Sequence, residues 1–319
     1  MPELNQLAQP IAVVCHDAGA ANIVLAEMQA APQAKFLPVM QGPAAKLWEQ
    51  NGFKESALLT LENALLTAGS VLSGTGWATD LEHEARKRAI DLGLTSVAVV
   101  DHWVNYAARF ERQGVSVLPD ELWVTDPYAL DIAAACFGGQ SIRLLPNRYL
   151  QSEVSRIAAL SASTAGQLLY VLEPLRFSWP GCRQPAEFDA LDFFVSNLSK
   201  VASSGSLQIR LRPHPSDADG KYTAWMGANA KHRITLDTSH GLSEAIAQSE
   251  WVAGCETAAM VVALASGRKV LGTLPPEAPK CRLPHTGIVH LRDLVEQFAY
   301  LKSPNSSTSE IKRNSKGSL

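Results

Sequence analysis

The chain has 319 residues and a net charge of −3, with 46% hydrophobic and 18% charged residues. This length is about twice that of a typical domain, and the composition is that of an ordinary globular protein, so we expect two domains with sizeable cores. The small negative charge excludes a general attraction to nucleic acid or to an anionic membrane, so any anion site has to be local.

The five cysteines are scattered and form no Cys-x-x-Cys pair, which argues against a structural zinc site and against a disulfide framework. The first ten residues, MPELNQLAQP, lack the basic and apolar blocks of a signal peptide, and no apolar run reaches the roughly 20 residues of a membrane span. We therefore expect a cytoplasmic protein with no metal, no nucleic-acid partner and no integral membrane segment. Association with a membrane surface is left open.

Apolar runs alternate with helical patterns in the first half of the chain. The predicted strands are Ile11–His16, Lys35–Met40, Ala57–Leu61, Ser70–Gly74, Ser96–His102, Glu121–Asp126 and Ser141–Pro146. Helices are predicted between them, notably over Ala20–Ala30 and Asp80–Leu92. Runs that are apolar on both faces, such as SVAVVDH, are typical of parallel strands covered on both sides.

A polar stretch at 151–166 interrupts this alternation, which then resumes in the second half. The predicted strands are Gln167–Leu172, Leu207–Pro213, Ile234–Asp237, Trp251–Gly254, Lys269–Gly272 and Ile288–Leu291, with helices over Leu242–Gln248 and Thr257–Ser266. Two successive βαβ sets predict an α/β protein with two Rossmann-like, doubly wound domains, 1–155 and 156–302, facing each other across a cleft. The polar tail 303–319 is predicted to be disordered.

Polar residues follow several predicted strands of the first domain, where ligands bind in open α/β sheets. His16 and Asp17 follow the first strand, and Asp101 and His102 close a strongly apolar one. Each pair is a candidate acid/base group, with the helix cap as the structural alternative. The later loop Gly74–Gly76 matches neither a Walker loop nor G-x-G-x-x-G.

The helix after that loop, LEHEARKRA, is predicted to present a solvated face. On this interpretation Glu82, Glu84, Arg86 and Lys87 are surface residues, and so is His83.

The stretch IRLRPHPSD carries the strongest signal in the second half. Alternation places Arg210 and Arg212 on one face of a strand, and two prolines hold His214 just beyond its end. Glu173 ends the preceding predicted strand. These residues are candidates for binding a phosphate-containing ligand.

A second element of the same half supports this interpretation. GCETAAMVVALASGRKV predicts a small-residue turn and a helix beginning near Glu256 and Thr257. A helix N-terminus favours an anion, whereas the Glu256 carboxylate would repel phosphate and suits a sugar hydroxyl.

The second-half pattern resembles GT-B-type glycosyltransferases, in particular the HP-motif enzymes of bacterial capsule and lipopolysaccharide synthesis. The motif stands here as His214–Pro215, and GCETAAM occupies the place of the donor-binding turn. The resemblance to the sialyltransferase-like and Kdo-transferase-like families implies that His214 contacts the nucleotide phosphate and that Glu256 and Thr257 line the donor pocket. The donor is then a CMP- or UDP-linked sugar, for example of the nonulosonic or Kdo type, used without a cofactor.

These families take their base from an acidic motif ending in glycine, which His16–Asp17–Ala18–Gly19 matches only at Asp17 and Gly19. The base is therefore open between Asp17 and Asp101. It would deprotonate the hydroxyl of a cell-surface glycan or a related acceptor, while His214 and an arginine stabilise the departing phosphate without a metal.

Two other functions fit the same pattern. A non-hydrolysing nucleotide-sugar epimerase would use several of the strand-end acids and histidines as acid/base groups. A sugar-binding protein without catalysis would have two such domains as well, and all three hypotheses rest on fold-level analogy.

Overall fold

The computed structural model describes residues 3–53, 57–76, 78–159, 162–175, 177–201 and 207–301. The predicted disordered tail lies outside these residues. The chain divides into two compact units, Met1–Ser152 and Glu153–Leu319, and each is described by itself.

The first unit is built on a parallel sheet. The strands of the unit are β1 (Ile11–Cys15), β2 (Phe36–Met40), β3 (Ser70–Ser73), β4 (Thr95–Val99), β5 (Glu111–Arg112), β6 (Val115–Ser116), β7 (Glu121–Val124) and β8 (Ser141–Leu144), of which β5 and β6 form a separate two-stranded sheet. Its helices are α1 (Ala18–Ala30), α2 (Gly42–Gln50), α3 (Leu61–Leu65), α4 (Leu81–Leu92), α5 (Tyr106–Phe110), α6 (Pro127–Cys136) and α7 (Arg148–Ser155), the last running across the boundary between the units.

Six of these strands form one sheet in the order β2-β1-β3-β4-β7-β8, with every neighbouring pair parallel. The strand β1 is buried on both faces, because Ile11 and Val13 pack into one core while Ala12 and Val14 pack into another. The chain turns to β2 on one side of β1 and to β3 on the other. The carboxyl edge between β1 and β3 is therefore the switch point where open sheets bind ligands.

The second unit repeats this design. Its strands are β9 (Gln167–Val171), β10 (Gln208–Arg212), β11 (Ile234–Leu236), β12 (Trp251–Gly254), β13 (Lys269–Gly272) and β14 (Ile288–His290). Its helices are α8 (Ala186–Ser196), α9 (Leu198–Val201), α10 (Thr223–Ala228), α11 (Leu242–Ala247), α12 (Ala258–Ala265) and α13 (Leu291–Leu301). The sheet order β11-β10-β9-β12-β13-β14 is parallel throughout and places its switch point between β9 and β12.

Two parallel six-stranded α/β sheets confirm the predicted fold class. The strand predicted over Ala57–Leu61 is wrong. This segment lies beside β2, where the Leu59 N–H donates to the Pro38 carbonyl at 2.8 Å. Because proline has no N–H, Pro38 cannot donate a second hydrogen bond to the segment, and no strand pairing forms. The side chain of Thr60 then caps α3 by accepting from the Asn63 N–H at 3.2 Å.

No helix among the described residues is long and apolar enough to cross a membrane.

Candidate functional site

A histidine–aspartate pair stands at the switch point of the first sheet, directly after β1. His16 Nδ1 lies 2.8 Å from Asp17 Oδ1, and both side chains are partly exposed, at 17% and 31%. Because a carboxylate only accepts hydrogen bonds, the shared proton belongs to Nδ1 and the Nε2 atom of the neutral ring carries the lone pair. The pair therefore presents an oriented imidazole base. Asp17 is also the N-cap residue of α1, although its side chain makes no capping bond.

Glycines in the first turns of α1 and α2 and in the loop after β3 allow the predicted acid/base residues to approach these segments closely. A methyl group at Gly42, where φ is +51°, would lie 2.5 Å from His16 Nε2. One at Gly76 would lie 2.5 Å from Asp17 Oδ2, and one at Gly19 would lie 1.8 Å from Asp101 Oδ2. These positions accept no side chain unless the neighbour moves. The segments that follow β1, β2 and β3 are thus packed against the predicted acid/base residues.

Asp101 lies two residues beyond the end of β4 and forms an ion pair. Its Oδ1 atom is 2.8 Å from Arg109 Nη1, with side chains 16% and 9% exposed. Arg109 also donates to Oγ1 of Thr75 at 3.2 Å, so the pair is tied to the loop after β3. The charge of the Asp101 carboxylate is therefore balanced by the Arg109 guanidinium. The partner of the Asp17 carboxylate, by contrast, is an imidazole with a lone pair on Nε2.

The prediction that α4 presents a solvated face at Glu82, His83 and Arg86 is wrong. Glu82 and Arg86 are fully buried and His83 is 7% exposed. Glu82 Oε1 accepts the N–H of His16 at 2.8 Å, and burial is the main cause that raises the pKa of its carboxyl group. One feature of the sequence indicates this burial: Ala85 and Ala89 lie three and seven residues after Glu82 and therefore share its face of the helix.

His102 belongs to the neighbouring loop rather than to the hydrogen bonds described above. Its Nδ1 accepts from the Trp103 N–H at 3.0 Å, and the two rings lie 5.3 Å apart. Trp103 in turn donates from its indole to Asp126 at 2.8 Å. Within the described residues, no group of three or more His, Cys, Asp or Glu side chains is arranged to hold a metal ion.

The switch point of the second sheet is formed by Glu173 after β9 and Glu256 after β12. The Glu256 N–H donates to Glu173 Oε1 at 2.5 Å. Burial, aided by the nearby Glu256 charge, raises the pKa of Glu173 to about 7, although the hydrogen bond from Glu256 opposes the shift. Glu256 itself is 5% exposed, and Arg282 binds its carboxylate through Nε and Nη2, at 3.1 and 2.7 Å to Oε2. Two predicted donor-binding residues therefore lie together here.

Thr257 caps the helix that follows this turn. Its hydroxyl oxygen accepts from the Ala259 N–H at 3.3 Å, and α12 begins at Ala258. The hydroxyl proton is left to donate, which is compatible with a structural role and with a ligand contact.

The two arginines of β10 share one face, as predicted, and both contact one carboxylate. Asp237, whose side chain is fully buried, accepts from Arg210 at 2.7 Å and from Arg212 at 2.5 Å. Arg210 also donates to the Ala245 carbonyl and to the Ser249 hydroxyl, each at 2.8 Å, whereas Arg212 is more exposed, at 26% against 15%. Two guanidinium charges against one carboxylate leave this cluster with one net positive charge.

His214 is exposed on a tight loop after β10. The Ser216 N–H donates to its Nδ1 at 3.1 Å, so the neutral ring carries its proton on Nε2. Asp217 accepts from the His214 N–H at 2.9 Å and is itself held by Lys221 at 2.6 Å and by the hydroxyl of Tyr222 at 3.0 Å. The loop that carries the imidazole is therefore rigidly braced.

Comparison with known proteins gives a likeness in structure but not in sequence. No protein-family model and no curated sequence matches the chain. A UDP-GlcNAc 2-epimerase from Neisseria meningitidis, solved with UDP-GlcNAc, aligns over 91% of both chains at 10% identity, with a TM-score of 0.61. The S. aureus MnaA structure with UDP covers 91% of this chain and 87% of its own at 13% identity, with a TM-score of 0.57.

A third solved structure belongs to a transferase. The glycotransferase of kitacinnamycin aligns over 92% of this chain and 91% of its own, with 12% identity and a TM-score of 0.50. The chain has a GT-B-like fold. At these identities the likeness shows the fold alone, and the reaction has to be argued from the residues.

Proposed function

We propose that the chain is a glycosyltransferase that moves a sugar from a CMP- or UDP-linked donor to a hydroxyl of a glycan or related acceptor. The observation that carries the proposal is the His16–Asp17 pair at the switch point of the first sheet, with Nδ1 2.8 Å from the carboxylate. One oriented base is what deprotonation of an acceptor hydroxyl requires, and such assistance is worth about 10²- to 10⁴-fold in rate.

The base assignment sharpens the sequence-based choice between Asp17 and Asp101. Asp17 accepts the imidazole proton and orients the ring, so that His16 Nε2 takes the proton of the hydroxyl. Asp101 is balanced by Arg109 and would instead contact acceptor hydroxyls. The second unit holds the donor in this proposal. His214 donates to the nucleotide phosphate from Nε2, and Arg212 adds positive charge two residues away.

The first experiment identifies the nucleotide. Thermal unfolding is followed with CMP, UDP, GDP and dTDP, and binding at about 100 times Kd stabilises a protein by about 2.7 kcal/mol. We expect CMP or UDP to raise the midpoint and the His214→Ala variant to lose that shift. Equal shifts in the variant and the wild type would remove His214 from the donor site.

The second experiment tests the reaction itself. The protein is incubated with the sugar nucleotide that the screen selects, with and without glycan acceptors, and nucleotide release and sugar products are measured. We expect acceptor-dependent release that falls about 10²-fold or more in His16→Ala. Binding without any turnover would support the sugar-binding hypothesis instead.

Epimerisation is the second candidate, and the number of carboxyl groups at the first switch point favours it. Inverting a carbon next to the anomeric centre needs acid/base groups on both faces of the sugar, and Asp101 and Glu82 stand near the His16–Asp17 pair. Three solved structures with TM-scores of 0.56 to 0.61 are described as UDP-GlcNAc 2-epimerase or MnaA. Isomerisation of the sugar nucleotide in the absence of an acceptor would decide for this function.

A further inference from the structure

The buried carboxyl group of Glu82 has no role in the transferase reaction proposed above. It lies in the first turn of α4, fully buried, and reaches the backbone N–H of His16 at 2.8 Å across 66 residues of sequence. Its second oxygen, Oε2, is buried and has no hydrogen-bond partner within the described ranges. A buried carboxylate with one unpaired oxygen would be costly, whereas a carboxylic acid avoids most of that cost.

The surroundings of Glu82 also favour its neutral form. A methyl group at Gly76 would lie 3.0 Å from Glu82 Oε1 and 2.5 Å from Asp17 Oδ2, so both carboxyl groups converge on the space beside this glycine. Burial and the Asp17 charge raise the pKa of Glu82, while the His16 N–H and Arg86 lower it. The guanidinium of Arg86 donates to the Gly74 carbonyl at 3.0 Å and to the Ser73 hydroxyl at 3.3 Å. Within the described part of the chain, Arg86 and Glu82 do not form an ion pair.

We propose that Glu82 is the positioning residue of the His16–Asp17 pair, acting as a neutral carboxylic acid whose Oε1 holds the His16 backbone. The inference rests on the proposed function of that pair. It separates the two carboxyl groups by role: Asp17 keeps the charge that orients the imidazole, and Glu82 supplies an acceptor without a second charge. Two further titratable groups lie nearby: Arg112, which donates to the Gly76 carbonyl at 2.9 Å, and Cys15, which is neutral because burial raises the pKa of its thiol.

The test compares Glu82→Gln, which keeps an acceptor and is always neutral, with Glu82→Leu, which keeps the volume and loses the acceptor. The readout is the downfield proton NMR signal of the hydrogen-bonded His16 Nδ1–H, assigned by its loss in His16→Gln. Glu84→Gln is the matched control, since Glu84 lies in the same helical turn but binds Arg88 at the surface. We expect the signal in wild type, Glu82→Gln and Glu84→Gln, and its loss in Glu82→Leu.

Two results would overturn the proposal. Loss of the signal in Glu82→Gln would mean that the charge of Glu82 matters, and its retention in Glu82→Leu would mean that Glu82 positions nothing. If Glu82→Leu does not fold, the pH dependence of unfolding decides: a neutral Glu82 predicts that wild type loses stability from pH 5 to 8 relative to Glu82→Gln, and parallel curves contradict it.

Turnover separates this inference from the proposed function. An active His16→Ala enzyme would remove the base assignment, whereas the NMR comparison would still report on Glu82. Conversely, a need for His16 with no effect of Glu82→Leu on the signal would leave the proposed function standing alone.

Discussion

The carboxyl edges of the two sheets hold polar groups in opposite arrangements. At the first switch point, Gly19, Gly42 and Gly76 allow carboxyl and imidazole groups to lie close together, and the imidazole carries a lone pair on Nε2. In the second unit the cations are paired with carboxylates, Arg282 with Glu256 and the two β10 arginines with Asp237. In the proposed function the first edge moves a proton, and the second unit holds an anion beside the net positive charge of the Arg210–Arg212–Asp237 cluster.

The largest expected effect breaks the charge cluster of the second unit. Asp237→Ala leaves Arg210 and Arg212 facing each other without their shared, fully buried carboxylate. Removing one partner of a buried pair is costly, and the partial exposure of the arginines reduces the cost to about 3 kcal/mol. Urea unfolding measures the change. The control Glu62→Ala removes an exposed partner of Arg88 and should hardly alter stability. Equal losses of stability in the two variants would show that the Asp237 carboxylate contributes no more than an exposed ion-pair partner.

The next prediction concerns close packing at the first edge. In Gly19→Ala the added methyl group would lie 1.8 Å from Asp101 Oδ2, which has to move away from Arg109. We expect turnover to fall about 10²-fold, equivalent to about 2.7 kcal/mol in the activation barrier. The control is Gly227→Ala in α10, where a methyl group meets open space and alanine improves the helix by up to about 1 kcal/mol. Full activity of Gly19→Ala would exclude Asp101 from the reaction.

The strands could be predicted from the sequence because their signals are local. Burial on both faces makes β1 a continuous apolar run, and one buried face gives β10 its alternation of Ile209 and Leu211 with arginines. The hydrogen-bond partner of Glu82 could not be predicted in this way, since the His16 backbone is 66 residues away in the sequence. The partner of the β10 arginines, Asp237, was missed for the same reason, because it directly follows the neighbouring strand β11.

A third prediction concerns the titration of Glu173 at the edge of the second sheet. Glu173 has a pKa of about 7 in the folded second unit, against 4.5 as the ordinary value. The folded state therefore holds this proton more tightly, and the free energy of unfolding should fall as pH rises from about 4.5 to above 7. The difference between the two pKa values corresponds to about 3.4 kcal/mol, which the partial exposure of Glu173 reduces to about 2 kcal/mol. Glu173→Gln should flatten that part of the curve in urea unfolding between pH 5 and 8. A slope unchanged by the substitution would assign the titration to another group.

The smallest expected effect distinguishes a cap from a ligand contact. Thr257 caps α12 as Thr60 caps α3, so Thr257→Ala and Thr60→Ala should each cost about 1 kcal/mol of stability. Only Thr257 lies at the predicted donor site, and its hydroxyl proton can still donate. We therefore expect Thr257→Ala to weaken nucleotide binding several-fold, measured by calorimetry, and Thr60→Ala to leave it unchanged. Thr257→Ser restores both the cap and the donor, and should recover affinity. If Thr257→Ala binds nucleotide as tightly as Thr60→Ala does, the threonine is a cap and nothing more.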